Sequence, residues 1–162
     1  MISSMNDTTT LTTPSARETV ITHEFNAPRK LVYEALTTPE HVRNWYGPRS
    51  MTYVSSQMDL RVGGRWRIVL RGADGNEYSW SGEYKQLRAP ELIEQTWWFE
   101  QIPEARTVER RTLEAQGDRT VVHGLVTHAN FESRDIHVKT MRPGFDETWD
   151  RFADLLAHDM HR

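Results

Sequence analysis

The sequence predicts a single α+β domain in which an antiparallel sheet packs against a long C-terminal helix. Strand-like segments joined by turn signals fill residues 51 to about 128, with no internal repeat and no βαβ alternation. A helical stretch with one bulky apolar face follows near the C-terminus. The 162 residues suit one domain, which we expect over residues 17–162, and a core of this size needs no disulfide or metal to fold.

The composition excludes several functional classes. The chain has no cysteine, which rules out disulfide frameworks, thiolate metal sites and cysteine nucleophiles. Twenty basic and twenty-three acidic residues give a formal net charge of −3, so no basic field predicts nucleic-acid binding. No apolar stretch is long enough to insert into a membrane, and none follows the first Met as in a secretory signal. We therefore expect a cytoplasmic protein that binds neither nucleic acid nor membrane.

The first part of the chain predicts a tail, one strand and two short helices. Residues 1–16 are rich in Thr, Ser and other polar residues, which predicts a disordered tail. The β-branched segment 19–25 predicts a strand. Apolar residues at helical spacing after Pro28 predict a short helix, and a second one runs from an N-cap at Thr38 to Trp45.

The central part predicts a meander of six strands. Turn signals such as Asp74-Gly75 and Gln116-Gly117-Asp118 separate the strands, and such tight connections require antiparallel pairing. The predicted strands cover residues 51–60, 65–71, 77–87, 92–100, 107–114 and 120–128.

The C-terminal helix is predicted to begin at Gly144 and to run to residue 158. Its apolar face consists of large residues at helical spacing, namely Phe145, Trp149, Phe152 and Leu156. The segment from Asn130 to Arg142 is polar and unpatterned, so we expect a loop there that could gate the interior.

Aromatic residues build much of the predicted interior, since they make up 10% of a chain that is only 37% apolar. Period-2 alternation along the strands assigns one face of the sheet to the helix. The residues expected on this inner face and on the facing helix, and so in contact with any ligand, are Trp66, Ile68, Leu70, Tyr78, Trp80, Tyr84, Gln95, Trp97, Phe99, Phe145, Trp149 and Phe152. The pattern fits a solid core or a pocket. Gly82, as a gap in the aromatic row, and the amide of Gln95 favour a pocket.

An ordered series of motifs resembles a bacterial family of the START/SRPBCC superfamily. The family is named for its similarity to the C-terminal domain of the activator of the Hsp90 ATPase. The resemblance covers about residues 17–158. It is carried by Ala27-Pro28, residues 32–41, Trp45-Tyr46-Gly47-Pro48, residues 59–66, Asp74-Gly75, Gly82-Glu83-Tyr84 and Trp149.

This resemblance implies the helix-grip fold, a curved antiparallel sheet wrapped around a long C-terminal helix, with two short helices closing one end. Superfamily members hold lipids, sterols, polyketides or other apolar molecules in the hollow between helix and sheet, which shifts the interpretation from a solid core toward a cavity. The family has no universal catalytic residue, and we expect no cofactor. Asp59 and Arg61, with Gly63 and Gly64, are interpreted as structural.

Glu109 and Arg111 are the candidates for chemistry. Our preferred interpretation is an edge strand whose charges are solvated. If Leu113 faces inward, however, both side chains share the inner face. In that case Arg111 could bind a ligand carboxylate and Glu109 could act as a general acid or base.

The seven histidines do not predict a metal site. His123 and His128 lie five residues apart on one strand and so point to opposite faces. We expect His23, His41 and His137 to be solvated or hydrogen-bonded. Trp98, predicted on the outer face, could mark a protein interface such as that of a homodimer.

Three functional hypotheses follow. The first is a carrier or sensor that binds a small apolar or aromatic molecule between the sheet and the C-terminal helix. The second is an enzyme, a cyclase, dehydratase or hydrolase, acting on a cyclic apolar substrate. It would need an ionisable group with a perturbed pKa in the interior. The third is a co-chaperone-like domain that contacts a protein through the outer face of the sheet.

Overall fold

A computed structural model describes residues 8–158. In this range the chain forms one antiparallel sheet of eight strands and three helices. In chain order the elements are β1 Thr8–Ser15, β2 Glu18–Phe25, α1 Arg29–Thr37, α2 Pro39–Val42, β3 Thr52–Met58, β4 Arg65–Arg71, β5 Glu77–Arg88, β6 Leu92–Phe99, β7 Arg106–Gln116, β8 Arg119–His128 and α3 Phe131–His158.

The sheet has the strand order β1-β2-β8-β7-β6-β5-β4-β3. Strands β3 to β8 form the predicted meander, because each pairs with the next through a short connection. Strand β2 closes the meander on its other side by pairing with β8. The curved sheet and the long helix on its inner face confirm the predicted helix-grip architecture.

The expectation of a disordered tail is wrong for residues 8–15, which form β1. This strand pairs with the free edge of β2, with Thr10 opposite Thr22 and Leu11 opposite Ile21. Leu11 also packs on a small apolar cluster that includes Phe145. Threonine is β-branched and suits an edge strand even where little apolar area is buried. Residues 1–7 of the predicted tail lie outside the described residues.

The short helices lie close to their predicted positions. Helix α1 buries Val32, Ala35 and Leu36 against the sheet. Helix α2 ends at Val42, and the predicted continuation to Trp45 is a turn. The indole N–H of Trp45 donates a hydrogen bond of 2.9 Å to the carbonyl of Ala35, which ties this turn to α1.

The prediction of a loop from Asn130 to Arg142 is wrong, because helix α3 already begins at Phe131. The side chain of Asn130 accepts a hydrogen bond of 2.8 Å from the N–H of Ser133, as an N-cap does. Proline in a helix lacks the N–H for the usual bond, which made a start after Pro143 plausible from sequence. The predicted apolar face of the later turns is confirmed, because Phe145, Phe152 and Leu156 are buried.

The main core lies between the inner face of the sheet, α1 and the C-terminal half of α3. The predicted alternation is confirmed on β4, where Trp66, Ile68 and Leu70 are each at most 3% exposed. On β5 and β6 the inner-facing Tyr84 and Phe99 are also buried. The sheet therefore presents the face that the sequence predicted to the helix.

Candidate functional site

All twelve predicted ligand residues belong to the interior of the fold. Eight are buried, namely Trp66, Ile68, Leu70, Tyr84, Trp97, Phe99, Phe145 and Phe152. The other four are half-buried, namely Tyr78, Trp80, Gln95 and Trp149. Whether they bind a ligand stays a prediction. Most of them pack in the main core, and Tyr78 lies at its margin, where its hydroxyl is bonded to Asp74 in the β4–β5 turn.

An aromatic cluster fills the end of this space beneath the C-terminal half of α3. It consists of Phe25, Trp45, Trp149 and Phe152. Phe152 lies at its centre, with ring centroids 4.9 Å from Trp45, 5.0 Å from Phe25 and 5.3 Å from Trp149. These are ordinary distances for packed rings, so this end is a solid core.

The gap expected at Gly82 is likewise filled. A Cβ atom at this position would lie 2.6 Å from the indole nitrogen of Trp66 and would overlap the carbonyl oxygen of Thr96. Glycine therefore permits close approach of neighbouring groups here and does not leave a cavity.

A polar cluster lies on the inner face at the middle of the sheet and consists of Gln95, Glu109 and Arg111. The preferred interpretation of β7 as a solvated edge strand is wrong, because β7 lies between β6 and β8. The alternative is correct: Leu113 faces inward and is 1% exposed, and Glu109 on the same face is 7% exposed. Because β7 is paired on both sides, side chains on its inner face lie in the interior, whereas outer-face residues such as Val108 stay exposed.

Hydrogen-bond register brings the polar cluster together. Gln95 on β6 is paired directly with Glu109 on β7, and its amide donates a bond of 3.3 Å to a carboxylate oxygen of Glu109. The same oxygen lies 3.6 Å from the guanidinium of Arg111. The guanidinium carbon of Arg111 lies 5.8 Å from the ring centre of Trp149 on α3. The cluster therefore lies between the sheet and the helix.

Gly124 lies beside Arg111 in the sheet and was missed in the sequence. It is paired with Arg111 on one side and with Ile21 on the other. A Cβ atom here would lie 2.9 Å from the carbonyl oxygen of Ile21. An enclosed space of about 10 Å³, room for about one water molecule, lies beside it. A glycine inside a strand is a usable signal for such a position.

Burial controls the ionisation of this region. It raises the pKa of the Glu109 carboxyl, against the opposing effects of the Arg111 charge and the Gln95 hydrogen bond. Burial, with the Arg111 charge as a second cause, lowers the pKa of His23 to about 3. Burial also raises the pKa of Tyr46, whose hydroxyl accepts a bond of 3.2 Å from the indole of Trp97. His23 and Tyr46 are therefore neutral near pH 7.

His23 is part of the interior and was also missed as such. Its ring is 2% exposed and lies 4.1 Å from the ring of Trp149 and 5.3 Å from that of Phe25. The Nδ1 atom is 2.8 Å from the hydroxyl of Thr9 on β1. The expectation that His23 is hydrogen-bonded is met by a strand that the sequence analysis did not predict.

A histidine cluster forms a second polar group under the N-terminal half of α3. It consists of Thr107 on β7, His128 on β8 and His137 on α3, at most 5% exposed each. The two imidazole rings lie 4.9 Å apart, and the ring of Trp97 lies 4.7 Å from His137. His128 Nε2 is bonded to the hydroxyl of Thr19 at 3.0 Å. The expectation that His137 is solvated or hydrogen-bonded is wrong, since neither ring nitrogen has a partner within residues 8–158.

Neither a metal site nor a membrane-spanning helix is found among the described residues. His123 is exposed on the outer face beside Glu114, at 2.8 Å. Within the described range no group of three or more His, Asp or Glu residues could hold a metal ion. No described helix is both long and apolar enough to cross a membrane.

The outer face of the sheet differs from the expectation of an exposed Trp98. Trp98 is half-buried because the guanidinium of Arg106 covers its ring at 4.0 Å. It lines an open groove of about 840 Å³ whose wall also carries Arg65, Arg67 and Glu100. This groove lies on the face turned away from α3, and its lining combines charged residues with apolar ones such as Trp98 and Val108.

The sheet, the gripped helix and the interior between them define a helix-grip domain of the START type. Residues 26–157 match the family described as Activator of Hsp90 ATPase homolog 1-like protein, and the chain belongs to this family. No curated protein matches the sequence.

Solved structures of bacterial proteins share the fold at low sequence identity. A protein from Rhodobacter sphaeroides is 20% identical with a TM-score of 0.85, and the match covers 93% of this chain and 99% of that one. A protein from Nitrosomonas europaea is 21% identical with a TM-score of 0.79, over 91% and 99% of the two chains. One from Arthrobacter aurescens is 23% identical with a TM-score of 0.80, over 91% of each chain.

Proposed function

We propose that this protein binds a small, mainly apolar molecule between the sheet and α3, as a carrier or sensor. The observation that carries the proposal is the polar cluster of Gln95, Glu109 and Arg111, a charged pair inside an otherwise aromatic interior. Polar groups placed among apolar and aromatic walls are typical of sites that orient a ligand.

Stability alone does not account for this charged pair. A buried ion pair is often no more stabilising than apolar residues of similar volume, because both charges lose their hydration. The contacts of 3.3 and 3.6 Å within the cluster are also longer than those of a tight charge-assisted bond. Beside Gln95 in the sheet register, the buried hydroxyl of Tyr84 has no hydrogen-bond partner in the described part of the chain. These groups retain capacity to bond a ligand.

Binding requires the interior to open. The enclosed space beside Arg111 is about 10 Å³, far less than a ligand of several rings needs. Trp149 is the element of α3 that covers the polar cluster, and it is only half-buried. We therefore infer that a ligand displaces the Trp149 ring from its position over Arg111, while Phe25, Trp45 and Phe152 stay packed together. Its affinity would come from apolar burial, at about 25 cal/mol per Å² before ordering costs.

A second candidate function, favoured by the raised pKa of Glu109, is acid–base catalysis on a cyclic apolar substrate. A carboxyl that stays protonated closer to neutral pH than usual is suited to donate a proton to a bound molecule. This candidate uses the same site as ligand binding, and it is distinguished by turnover of the bound molecule.

Native mass spectrometry of freshly purified protein, followed by solvent extraction, tests the proposal. We expect an additional mass of a few hundred daltons that is lost in Arg111→Met. Arg110→Met is the matched control, because Arg110 lies on the same strand, points outward and pairs with Glu94. A ligand that survives Arg111→Met would contradict the role of the polar cluster. A ligand-free mass from several expression hosts would contradict a carrier.

A further inference from the structure

We propose that Thr107, His128 and His137 form a hydrogen-bonding subsite for a neutral hydroxyl or carbonyl group of the ligand. This inference rests on the proposed function and specifies the ligand class. The ligand is then an aromatic or alicyclic alcohol, phenol or ketone, held at this end without a charged group.

The three side chains converge from three elements on one buried point. Thr107 and His128 are paired directly across β7 and β8, on the inner face of the sheet. His137 covers them from the N-terminal half of α3, and its ring is 1% exposed. The indole of Trp97, paired with Thr107 on the other side, provides an apolar wall.

Four polar atoms of this histidine cluster are buried without a hydrogen-bond partner in the described range: Thr107 Oγ1, His128 Nδ1, and Nδ1 and Nε2 of His137. An unpaired buried polar group costs about 1–3 kcal/mol, and native proteins hold only a few of them. These three residues are neighbours in space and together have four unpaired polar atoms. The hydroxyl and the imidazole nitrogens offer donors and acceptors to the same small group.

The charge of the histidine cluster favours a neutral partner. Burial lowers the pKa of His137 to about 3 and that of His128 to about 4, so both rings are neutral at physiological pH. Two cations lie near His128 and are both engaged: Arg134 donates a bond of 2.6 Å to the carbonyl of Ser15, and Arg17 donates one of 3.1 Å to the backbone carbonyl of His128. A carboxylate would gain little here from neutral rings, whereas a hydroxyl or carbonyl can pair with them.

The histidine cluster is continuous with the polar cluster. Thr107 and Glu109 are inner-facing neighbours on β7, and residues two apart on a strand are separated by roughly 7 Å. Trp97 and Gln95 are related in the same way on β6. A ligand of two fused rings spans this distance, with its body along Trp97 and its polar group at His137.

Three naphthalene probes of the same size test the subsite: 2-naphthol, naphthalene and 2-naphthoate. Affinities are measured by calorimetry for the full-length protein, for His137→Phe and for the control His158→Phe, which changes an exposed histidine on the same helix. We expect the protein and the control to bind 2-naphthol about tenfold more tightly than either other probe. In His137→Phe this preference should fall to within about twofold, while naphthalene affinity is retained.

The outcomes separate the two proposals. If the probes bind and His137→Phe keeps the preference for 2-naphthol, the subsite is overturned and the proposed function still holds. A preference for 2-naphthoate overturns it too, and points to Arg111. No binding of any probe contradicts the proposed function, and the subsite with it.

A measurement on the unaltered protein covers the case in which His137→Phe fails to fold. The imidazole ¹⁵N signals of His128 and His137 are recorded by NMR with each probe. Shifts of both rings with 2-naphthol that naphthalene does not produce support the subsite. Unchanged ring signals at saturating 2-naphthol overturn it.

Discussion

The two ends of the space beneath α3 are built differently. Under its C-terminal half the aromatic cluster of Phe25, Trp45, Trp149 and Phe152 is closely packed, with ring centroids about 5 Å apart. The polar cluster beside Trp149 and the histidine cluster under the N-terminal half are different, with a buried charge pair and, in the described range, buried polar atoms that have no hydrogen-bond partner. Burial is similar at both ends, but the first consists of packed rings and the second includes buried polar atoms without partners in the described range.

This difference distinguishes the region that stabilises the fold from the region that we propose binds the ligand. Packed rings contribute apolar burial and dispersion, which stabilise the native state in any context. Buried polar groups without full pairing lower stability, and our proposal that a ligand completes their bonds explains their presence here. We therefore expect substitutions at the aromatic end to unfold the protein, and conservative substitutions at the polar end to change binding and pH dependence.

The largest effect is expected from Phe152→Ala, at the centre of the aromatic cluster. Loss of a fully buried phenyl ring and the cavity that it leaves should lower the free energy of unfolding by about 3–5 kcal/mol. Urea unfolding monitored by circular dichroism measures the change. Phe131→Ala, at a position that is 57% exposed on the same helix, is the control and should change stability by less than about 0.5 kcal/mol. Equal effects of the two would show that the cluster is loosely packed.

Much of the aromatic end could be predicted from the sequence, and little of the polar end. Alternation along β4 and the stripe from Phe145 to Leu156 are local patterns, and a one-residue slip would expose every side chain that they bury. The orientation of Glu109 and Arg111 depended on whether β7 is an edge or an inner strand. The predicted meander already placed this strand between two others, but its high charge made a solvated edge strand the preferred interpretation.

The remaining misses have the same physical origin. Strand β1 has a polar composition that is typical of disorder, and it is ordered by the unpaired edge of β2. The cap at Asn130 extends α3 by a run of polar turns before the apolar stripe begins. His137 meets His128 only because those turns dock on the sheet, so the histidine cluster could not be recognised in the chain.

A smaller effect, specific to the polar end, is expected from His137→Phe as the pH is lowered. The folded-state pKa of His137 is about 3, below the value of about 6.5 for an unfolded chain. Below pH 6.5 the unfolded chain therefore binds the extra proton, and stability falls by up to about 1.4 kcal/mol per pH unit until the pH approaches the folded pKa. The variant lacks this loss. Between pH 7 and pH 5 its free energy of unfolding should therefore rise by about 2 kcal/mol relative to that of the natural protein.

Urea unfolding at pH 7, 6 and 5 measures this difference. His23 and His128 also have lowered pKa values, so both proteins lose stability with acid and only the slopes differ. Glu109 acts in the opposite sense, because its raised pKa favours the folded state as the pH falls toward that pKa. Parallel curves for variant and natural protein would mean that His137 is hydrated in solution, and would remove the contrast between the two ends.

The smallest effect concerns Thr9 on β1, which connects the edge strand to the interior. Its hydroxyl is the partner of His23 Nδ1 at 2.8 Å, and this histidine contacts Trp149 of the aromatic cluster. Thr9→Val keeps the β-branched shape but removes the bond and leaves a buried nitrogen unpaired, so stability should fall by about 1 kcal/mol. Thr10→Val is the matched control, since Thr10 is the neighbouring residue on the exposed face.

Amide hydrogen exchange across β1 and β2 provides the second measurement for the Thr9 pair. If the bond to His23 helps to hold the edge strand, Thr9→Val should speed exchange in β1 about fivefold, as expected for a loss of about 1 kcal/mol in local stability, and Thr10→Val should not. Equal exchange in both variants would show that the bond to His23 adds nothing to the order of β1, which then depends on pairing with β2 and on the packing of Leu11.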